Sequence, residues 1–257
     1  MEQSRCILVT GMSGLIGGLA GRALANKYQI RALNRRQVDG FETFQADISN
    51  FEAIRPAFHG IHTVVHMAAF VTGEEFQRLL ETNVVGTYNI FEAARQAGVR
   101  RIVFGSSGAV VEGYERDEPF SAMVQARYGD FLPSRPLLTH LSAPRPITVY
   151  GCSKIWGEAL GRYYSEVHKL SVLCIRLGRV VEEDHPRNAR HAAVYLSHRD
   201  AVQVIERCVE APEDLRFDVF YGVSSNRARF RDIEHGREMI GYVPQDGVQD
   251  WPEGFDG

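Results

Sequence analysis

The chain has 257 residues, of which 44% are hydrophobic and 24% charged, and its formal net charge at pH 7 is −3. These proportions are those of a globular protein with a substantial core, and they exclude a disordered chain. Lysine and arginine are scattered without a basic stripe, so nucleic acid is not expected as a partner. No apolar run approaches the roughly 20 residues that span a bilayer. We therefore expect a cytoplasmic protein with no membrane partner, and the scattered cysteines, which lack CxxC spacing, indicate no metal site.

Short apolar bursts alternate with helical patterns through the first two thirds of the chain. The bursts are nearly continuous and rich in β-branched residues, as in strands that are covered on both faces of a parallel sheet. The predicted strands are Cys6–Thr10, Gln29–Leu33, Thr43–Gln45, Thr63–His66, Arg101–Ser106 and Ser171–Arg176. The predicted helices are Leu15–Asn26, Asn50–Phe58, Glu74–Gly98 in one or two pieces, and Ser153–His168. This alternation predicts an α/β fold with a doubly wound parallel sheet of the Rossmann type.

Two later segments depart from this rhythm. Five prolines between residues 113 and 146 predict a long loop beside the functional site. Beyond residue 178 the pattern predicts a helix, a short strand and a terminal helix, at His198–Glu210, Phe217–Tyr221 and Asp232–Ile240. We expect residues 1–177 to form a dinucleotide-binding domain that carries the catalytic residues, and residues 178–257 to form a small substrate-binding cap that does not fold alone.

A glycine-rich turn, Thr10-Gly-Met-Ser-Gly-Leu-Ile-Gly17, follows the first predicted strand directly. Gly11 would permit the tight turn, Gly14 would let the backbone approach a pyrophosphate, and Gly17 would let the next helix pack closely on the sheet. The N–H groups at the start of that helix would face the phosphates. At the first strand-to-helix turn, these glycines favour a dinucleotide site over a purely structural turn. The predicted cofactor contacts here are Gly11, Ser13, Gly14, Leu15, Ile16 and Gly17.

The end of the second strand indicates which dinucleotide binds. An acidic residue there would accept the ribose hydroxyls and repel a 2′-phosphate, but the sequence has neutral Asn34 followed by Arg35 and Arg36. Arginine suits a phosphate, so NADP is the favoured cofactor; NAD stays open because the two arginines could equally form a solvated surface pair. Asp47 and Ile48 follow the third strand, where they would meet the adenine, and the alternative for Asp47 is an N-cap of the next helix.

Tyr150 and Lys154 stand four residues apart at the start of a long amphipathic run. In a helix, residues with this spacing share a face, so the ammonium would lie one turn from the phenolic oxygen. A neighbouring positive charge favours the phenolate and would lower the tyrosine pKa from its ordinary value of about 10. The pair predicts a proton-transfer group, with an ordinary surface pair as the alternative.

Six motifs occur in order between residues 6 and 176. They are the glycine turn, Asp47-Ile48, Val64-Val-His-Met-Ala-Ala69, Asn83-Val-Val-Gly-Thr-Tyr-Asn89, Phe104-Gly-Ser-Ser107 and Tyr150-Gly-Cys-Ser-Lys154. As a set they resemble the extended short-chain dehydrogenase/reductase superfamily, with its NAD(P)-dependent epimerases and dehydratases. The resemblance implies Tyr150 as the acid/base, Lys154 as the residue that binds the nicotinamide ribose, and Ser107 as a hydrogen-bond partner of the reacting oxygen. It also implies residues beside the cofactor: Met67, Ala68, Ala69, Ser106 and Asn83, the last with a satisfied polar helix residue as its alternative.

The C-terminal third contains Tyr195-Leu-Ser-His-Arg-Asp200, Phe220-Tyr-Gly-Val-Ser-Ser-Asn226 and Ile240-Gly-Tyr-Val-Pro-Gln-Asp246. In these motifs it is similar to uronate dehydrogenases, in which Asn-His follows the second serine of the fifth strand and contacts the sugar acid. This chain has Gly108 and Ala109 there, and Arg179 in place of a substrate-contacting serine. Arg190 matches the arginine that clamps the carboxylate, with membership of a solvated loop as its alternative. The predicted substrate contacts are Ser107, Gly108, Arg179 and Arg190.

Together these residues predict an NAD(P)-dependent oxidoreductase that transfers a hydride between a nicotinamide cofactor and a hydroxyl or carbonyl carbon of a carbohydrate, a sugar or a sugar acid. One alternative is a nucleotide-sugar 4-epimerase that retains NAD, which the short cap disfavours. The other is a non-catalytic dinucleotide sensor, which the intact Ser107, Tyr150 and Lys154 disfavour. A homodimer is also expected, with the helix at 74–98 or at 153–168 packed against its twin.

Overall fold

The computed structural model describes residues 5–71, 75–127 and 136–249. Its strands are β1 (Cys6–Thr10), β2 (Gln29–Asn34), β3 (Glu42–Gln45), β4 (Thr63–His66), β5 (Arg101–Ser107), β6 (Ser171–Leu177) and β7 (Phe217–Gly222). They form one sheet in the order β3-β2-β1-β4-β5-β6-β7, in which every neighbouring pair is parallel. The predicted doubly wound parallel sheet is confirmed, and no predicted strand end is displaced by more than one residue.

Helices cover both faces of the sheet. They are α1 (Leu15–Leu24), α2 (Phe51–Ile54), α3 (Phe76–Leu79), α4 (Thr87–Gln96), α5 (Phe120–Val124), α6 (Val149–His168), α7 (Ala189–Val194), α8 (His198–Glu210) and α9 (Glu234–Ile240). The turn Leu80–Gly86 between α3 and α4 is π-helical, so residues 76–96 run as one helical segment. The predicted start of this segment, Glu74, lies outside the described residues.

Helix α6 begins at Val149, four residues before the predicted start. The reason is a cap: the Thr148 side chain accepts a hydrogen bond from the Gly151 N–H at 3.0 Å. Threonine at this position satisfies one of the free N–H groups of the first turn and so fixes where the helix starts. Tyr150 consequently lies in the first turn of α6.

The core lies in two apolar layers, one on each face of the sheet. Successive strand residues point to opposite faces, and in β1 Val9 joins the layer under α1 and α8 whereas Leu8 joins the layer under α4 and α6. Both side chains are completely buried. This two-sided burial explains why the strands have continuous apolar sequences, which is the signal that predicted them.

The predicted long loop between residues 113 and 146 is partly helical. The described part contains a 3₁₀ turn at Glu112–Arg116 and helix α5, while residues 128–135 lie outside the described residues. Phe120 and Met123 of α5 are buried in a small third cluster with Phe230. The prolines therefore did not prevent local helix formation, because apolar side chains in the same segment pack against the C-terminal part of the chain.

Part of the stretch predicted as a cap belongs to the sheet and its helical layer. β7 pairs with β6 from Val172↔Phe217 to Leu177↔Gly222, and α8 packs against α1. Both elements lie beyond residue 177, so the expected boundary there cuts through a continuous sheet. In the part of the chain that the structure describes, no helix combines the length and apolar character needed to cross a membrane; a cytoplasmic location remains a prediction.

Candidate active site

A cavity of about 1260 Å³ lies at the carboxyl ends of the strands. Residues that follow β2, β1, β4, β5 and β6 line it, and these five strands are neighbours in the sheet. The chain order reverses between β1 and β4, and the crevice at such a reversal is where open α/β sheets bind ligands. Along the sheet the cavity runs from β2 to β6. We refer to the part at β2 as the adenosine end and to the part at β6 as the substrate end.

The glycine turn forms the wall of the cavity after β1. Gly11 has a φ of +70°, and a Cβ there would lie 2.7 Å from the backbone of Ala68. A Cβ on Gly17 would lie 2.4 Å from the carbonyl oxygen of Gly11, so only glycine lets α1 start this close to the turn. Helix α1 has Gly14 as its N-cap, without a side-chain cap bond within the described chain. Its first N–H groups are thus available to a phosphate, and the turn fits the pyrophosphate of a dinucleotide.

Asn34 and Arg35 border the adenosine end. Asn34 is buried; its Oδ1 accepts a hydrogen bond from the Ser13 hydroxyl at 3.3 Å, and its Nδ2 donates to the Arg36 carbonyl at 3.0 Å. Arg35 is exposed and lines the cavity. Arg36 is also described but is not part of the cavity lining, so the structure separates two arginines that the sequence treated alike.

Asp47 and Ile48 line the same end of the cavity. The Asp47 carboxylate accepts hydrogen bonds from the Ser49 backbone at 2.9 Å and from the Ser49 hydroxyl at 2.8 Å. The N-cap of α2 is Asn50, whose side chain accepts from the Ala53 N–H at 3.1 Å. The alternative that Asp47 caps this helix is therefore wrong.

Asn83 lies behind the cavity wall and not in its lining, unlike the other cofactor contacts predicted after β4. It sits in the π-helical turn, where its side chain accepts from the Phe70 N–H at 2.7 Å and donates to the Phe70 carbonyl at 2.9 Å and the Ser153 hydroxyl at 3.0 Å. Its hydrogen-bonding groups are occupied by protein, as expected of the polar helix residue given as the alternative. Asn83 ties the segment after β4, which includes Met67, Ala68 and Ala69, to α6.

Ser107, Tyr150 and Lys154 lie together in the middle of the cavity wall. Ser107 is the last residue of β5, and its hydroxyl is close enough to Tyr150 to lower the pKa of the phenol as a hydrogen-bond partner. The Lys154 ammonium donates to the Gly105 carbonyl at 2.7 Å and lies 5.5 Å from the centre of the Tyr150 ring. The cap on α6 and the end of β5 thus bring a hydroxyl, a phenol and an ammonium to one place.

The pKa values of this trio differ from the sequence-based expectation. Burial raises the pKa of Tyr150 to about 12, against a smaller lowering by the Ser107 hydrogen bond. Burial also lowers the pKa of Lys154 to about 8, although the Glu158 carboxylate opposes this. The prediction that the Tyr150 pKa lies below 10 is wrong, because burial raises it and the only opposing cause is the Ser107 hydroxyl, not the Lys154 ammonium. At neutral pH Tyr150 is a phenol.

A buried ion pair supports this wall and was not predicted. The Ser106 hydroxyl donates to Glu158 at 2.6 Å, and Arg176 makes hydrogen bonds to the same carboxylate at 2.9 and 2.8 Å. Both charged side chains are nearly inaccessible, with 9% and 3% exposure. Glu158 follows Lys154 by four residues, as Lys154 follows Tyr150, so the helical spacing that selected the first two would also have found the third.

The substrate end combines charges from distant segments. Gly108, Arg179 and Arg190, all predicted as substrate contacts, line it, together with Glu112 and Arg231, which were not predicted. Arg190 is not part of a solvated loop: its guanidinium donates to Glu112 at 2.8 Å and to Glu115 at 2.6 Å. No local spacing connects position 231 to this site, which explains why sequence patterns missed it.

Comparison with known proteins assigns the family. The model described as "NAD dependent epimerase/dehydratase family" matches residues 7–206. The chain belongs to this family. The NAD-dependent glucose-6-phosphate dehydrogenase of Haloferax volcanii is 33% identical over 93% of this chain and 93% of its own length. A uronate dehydrogenase of Agrobacterium fabrum is 31% identical over 95% of this chain and 85% of its own length.

A solved structure matches the fold of this chain. A variant of uronate dehydrogenase from Agrobacterium tumefaciens, complexed with NAD, matches with a TM-score of 0.81 at 29% identity, over 95% of this chain and 86% of that one. The resemblance to uronate dehydrogenases found in the sequence is thereby confirmed. The predicted Rossmann architecture of this chain is confirmed as well.

Proposed function

We propose that the protein is an NAD(P)-dependent dehydrogenase that oxidises a hydroxyl group of a sugar or sugar acid and, in reverse, reduces the carbonyl. The observation that carries the proposal is one shared cavity, lined by Tyr150, Ser107 and the glycine turn. A nicotinamide bound there would supply the hydride acceptor or donor. The named activities of the relatives, glucose-6-phosphate and uronate dehydrogenases, support a carbohydrate substrate and favour a dehydrogenase over a 4-epimerase.

Tyr150 and Ser107 would handle the oxygen of the reacting carbon. For oxidation, Tyr150 must first lose its own phenol proton; an alcohol oxygen placed beside both side chains can then receive a hydrogen bond from Ser107 and give its proton to the Tyr150 oxygen. In reduction, the Tyr150 phenol gives its proton to the carbonyl oxygen as it becomes an alcohol. The Lys154 ammonium is the nearby positive charge that stabilises the phenolate when oxidation requires it.

We infer that NADP is preferred over NAD. Asn34 carries no negative charge to repel a 2′-phosphate, and the exposed Arg35 borders the same end of the cavity. A guanidinium beside a phosphate forms a charge-assisted hydrogen bond that NAD cannot offer. Of two relatives from Haloferax volcanii, one is named for NAD and the other, an L-arabinose 1-dehydrogenase, for NAD(P)(+), so the inference is drawn from Asn34 and Arg35 of this chain.

We further propose a smaller cap and a paired assembly. The cap consists of the segments around Ile147, at 179–195 and around Arg231, which border the substrate end.

The outer face of α4 and α6 exposes three large apolar side chains: Tyr88, Trp156 and Val167 are 46%, 41% and 58% exposed. A second copy of the chain is the partner that we propose for this face, and light scattering on the purified protein tests it: a monomer at all concentrations contradicts the pairing.

A substrate screen tests the function. The protein is incubated with NAD or NADP and with aldoses, aldose phosphates, uronic acids or nucleotide sugars, and the absorbance of the reduced nicotinamide is followed. The proposal predicts net reduction of the dinucleotide by a sugar or a sugar acid. Conversion of a nucleotide sugar without net reduction would instead identify a 4-epimerase. Dinucleotide binding without turnover of any sugar would identify a sensor.

A further inference from the structure

Arg231 is a buried arginine whose donors are poorly used. Its side chain is 3% exposed and lines the substrate end of the cavity. Nε is buried and finds no hydrogen-bond partner in the described chain. Among the described residues, one terminal nitrogen makes two long contacts, 3.4 Å to Glu115 and 3.5 Å to the Gly108 carbonyl. A buried guanidinium left in this state costs free energy, so its presence needs an explanation such as a bound anion.

The guanidinium fits here only because position 108 is glycine. A Cβ on Gly108 would lie 2.2 Å from one terminal nitrogen of Arg231 and 2.4 Å from its central carbon. Gly108 directly follows Ser107, the last residue of β5. The space beside Gly108 is filled by a charged group that comes from 123 residues further along the chain.

The backbone on both sides of Arg231 is held in place. The Phe230 carbonyl accepts from the Leu138 N–H at 2.7 Å, and the Asp232 N–H donates to the Leu138 carbonyl at 2.9 Å. Phe230 itself is completely buried. Such fixed backbone anchors orient a side chain before a ligand arrives, which is what a specificity-determining group requires.

The charges around Arg231 do not balance. Glu115 accepts hydrogen bonds from both Arg190 and Arg231, while Glu112 is paired with Arg190. Arg179, an exposed residue without an ion-pair partner among the residues described, also lines the cavity. Arg190 and Arg231 therefore share Glu115, and Arg179 adds a third positive charge to the cavity lining; this surplus of positive charge suits an anionic ligand.

We propose that Arg231, in a cavity whose lining also includes Arg179, binds an oxyanion carried by the substrate and so selects an anionic aldose, with a phosphate or a carboxylate, over a neutral one. This proposal rests on the function proposed above and adds to it the substrate class and the residue that decides it. Gly108 takes part by leaving the space that the guanidinium fills.

Steady-state kinetics of wild type and Arg231→Gln test the selection. The substrates are an aldose 6-phosphate, the matching uronate and the matching neutral aldose, each with saturating NADP. In the wild type, kcat/KM is expected to be higher for at least one anionic sugar, and which of the two it is identifies the anion. Arg231→Gln should lower that kcat/KM by about 10- to 100-fold, as loss of a charged hydrogen bond does, and change the neutral sugar little. Arg231→Lys should recover part of the selectivity.

Gly108→Ala provides a test that leaves Arg231 in place. Its new methyl group displaces the guanidinium, so it should reduce selectivity for the anionic sugar, and the double variant with Arg231→Gln should be no worse than Arg231→Gln alone. Arg237→Gln, the same substitution at an exposed arginine of α9, is the matched control and should leave all values unchanged. If the losses of selectivity in the two single variants add in the double variant, residue 108 and Arg231 do not act through the same space.

The outcomes separate this proposal from the general function. If the wild type oxidises neutral and anionic sugars equally well, the dehydrogenase function is supported and the role of Arg231 in substrate selection is contradicted. If no sugar turns over, the dehydrogenase falls, and calorimetric titration of the same sugars into the NADP-saturated protein decides the anion site. Tighter binding of an anionic sugar that Arg231→Gln abolishes supports the site, whereas equal binding overturns it.

Discussion

The two ends of the cavity are lined by different kinds of residues. Towards the adenosine end the wall includes a run of neighbouring residues in the chain, the glycine turn from Gly11 to Gly17, which brings backbone to the cavity. At the substrate end it includes four charged side chains from separate segments: Glu112, Arg179, Arg190 and Arg231. A backbone wall depends on the absence of side chains and recognises a feature common to all dinucleotides. A side-chain wall recognises particular groups, so its specificity changes with single substitutions while the fold stays the same.

Tyr150 stands where the two ends meet, and its removal should have the largest effect. Tyr150→Phe deletes the hydroxyl that exchanges a proton with the substrate, so kcat should fall by about 10²- to 10⁴-fold. Dinucleotide affinity, measured by fluorescence titration, should stay within about twofold because the glycine turn is untouched. Tyr163→Phe, at an exposed position of the same helix, is the control. Full activity in Tyr150→Phe would mean that another group transfers the proton.

Gly17→Ala probes the backbone wall. The new Cβ would meet the Gly11 carbonyl at 2.4 Å, so α1 must move away from the turn. Binding of NAD and NADP should weaken alike, by roughly 10- to 100-fold, in line with the cost of about 1–3 kcal/mol for overpacking. Gly236→Ala in α9, where the nearest atom is 3.6 Å from the Cβ position, should leave both affinities unchanged. Unaltered dinucleotide binding in Gly17→Ala would show that the glycine turn does not form the dinucleotide site.

Arg35→Ala tests whether a side chain adds specificity to the backbone end. It should weaken NADP by about 10-fold, the loss of one exposed charge-assisted contact, and leave NAD unchanged. Arg36→Ala is a closely matched control, because Arg36 does not line the cavity among the described residues. Equal effects on the two dinucleotides, or a larger effect at position 36, would contradict the preference for NADP.

Lys154 allows a direct test of burial at the centre of the site. The chain has three lysines, Lys27, Lys154 and Lys169, so carbon-13 labelling of lysine gives a simple NMR spectrum. In the cofactor-free protein, the Lys154 signal should titrate with a pKa of about 8, charged below that pH and neutral above it. Lys27, whose pKa is raised by its hydrogen bond to Glu210, should titrate above its ordinary value. A Lys154 midpoint near the ordinary lysine value of about 10.4 would show that Lys154 is solvated.

The difference between the two ends also explains what the sequence could predict. The strands, the glycine turn and the Tyr150-Lys154 pair depend on local spacing, and the structure has them where the sequence expected them. The position of Arg231 depends on tertiary packing through Leu138, which no local pattern records. The direction of the Tyr150 pKa shift was missed for the same reason, because burial, which depends on distant parts of the chain, raises this pKa, and local spacing does not record burial.

The most direct test of the account is a crystal structure of the protein with a dinucleotide and a substrate sugar. The account predicts the pyrophosphate against the turn at 11–17, and the reacting hydroxyl of the sugar within hydrogen-bond distance, about 3 Å, of both Tyr150 and Ser107. It is contradicted if the dinucleotide binds away from that turn, or if the sugar lies where Tyr150 cannot reach its oxygen.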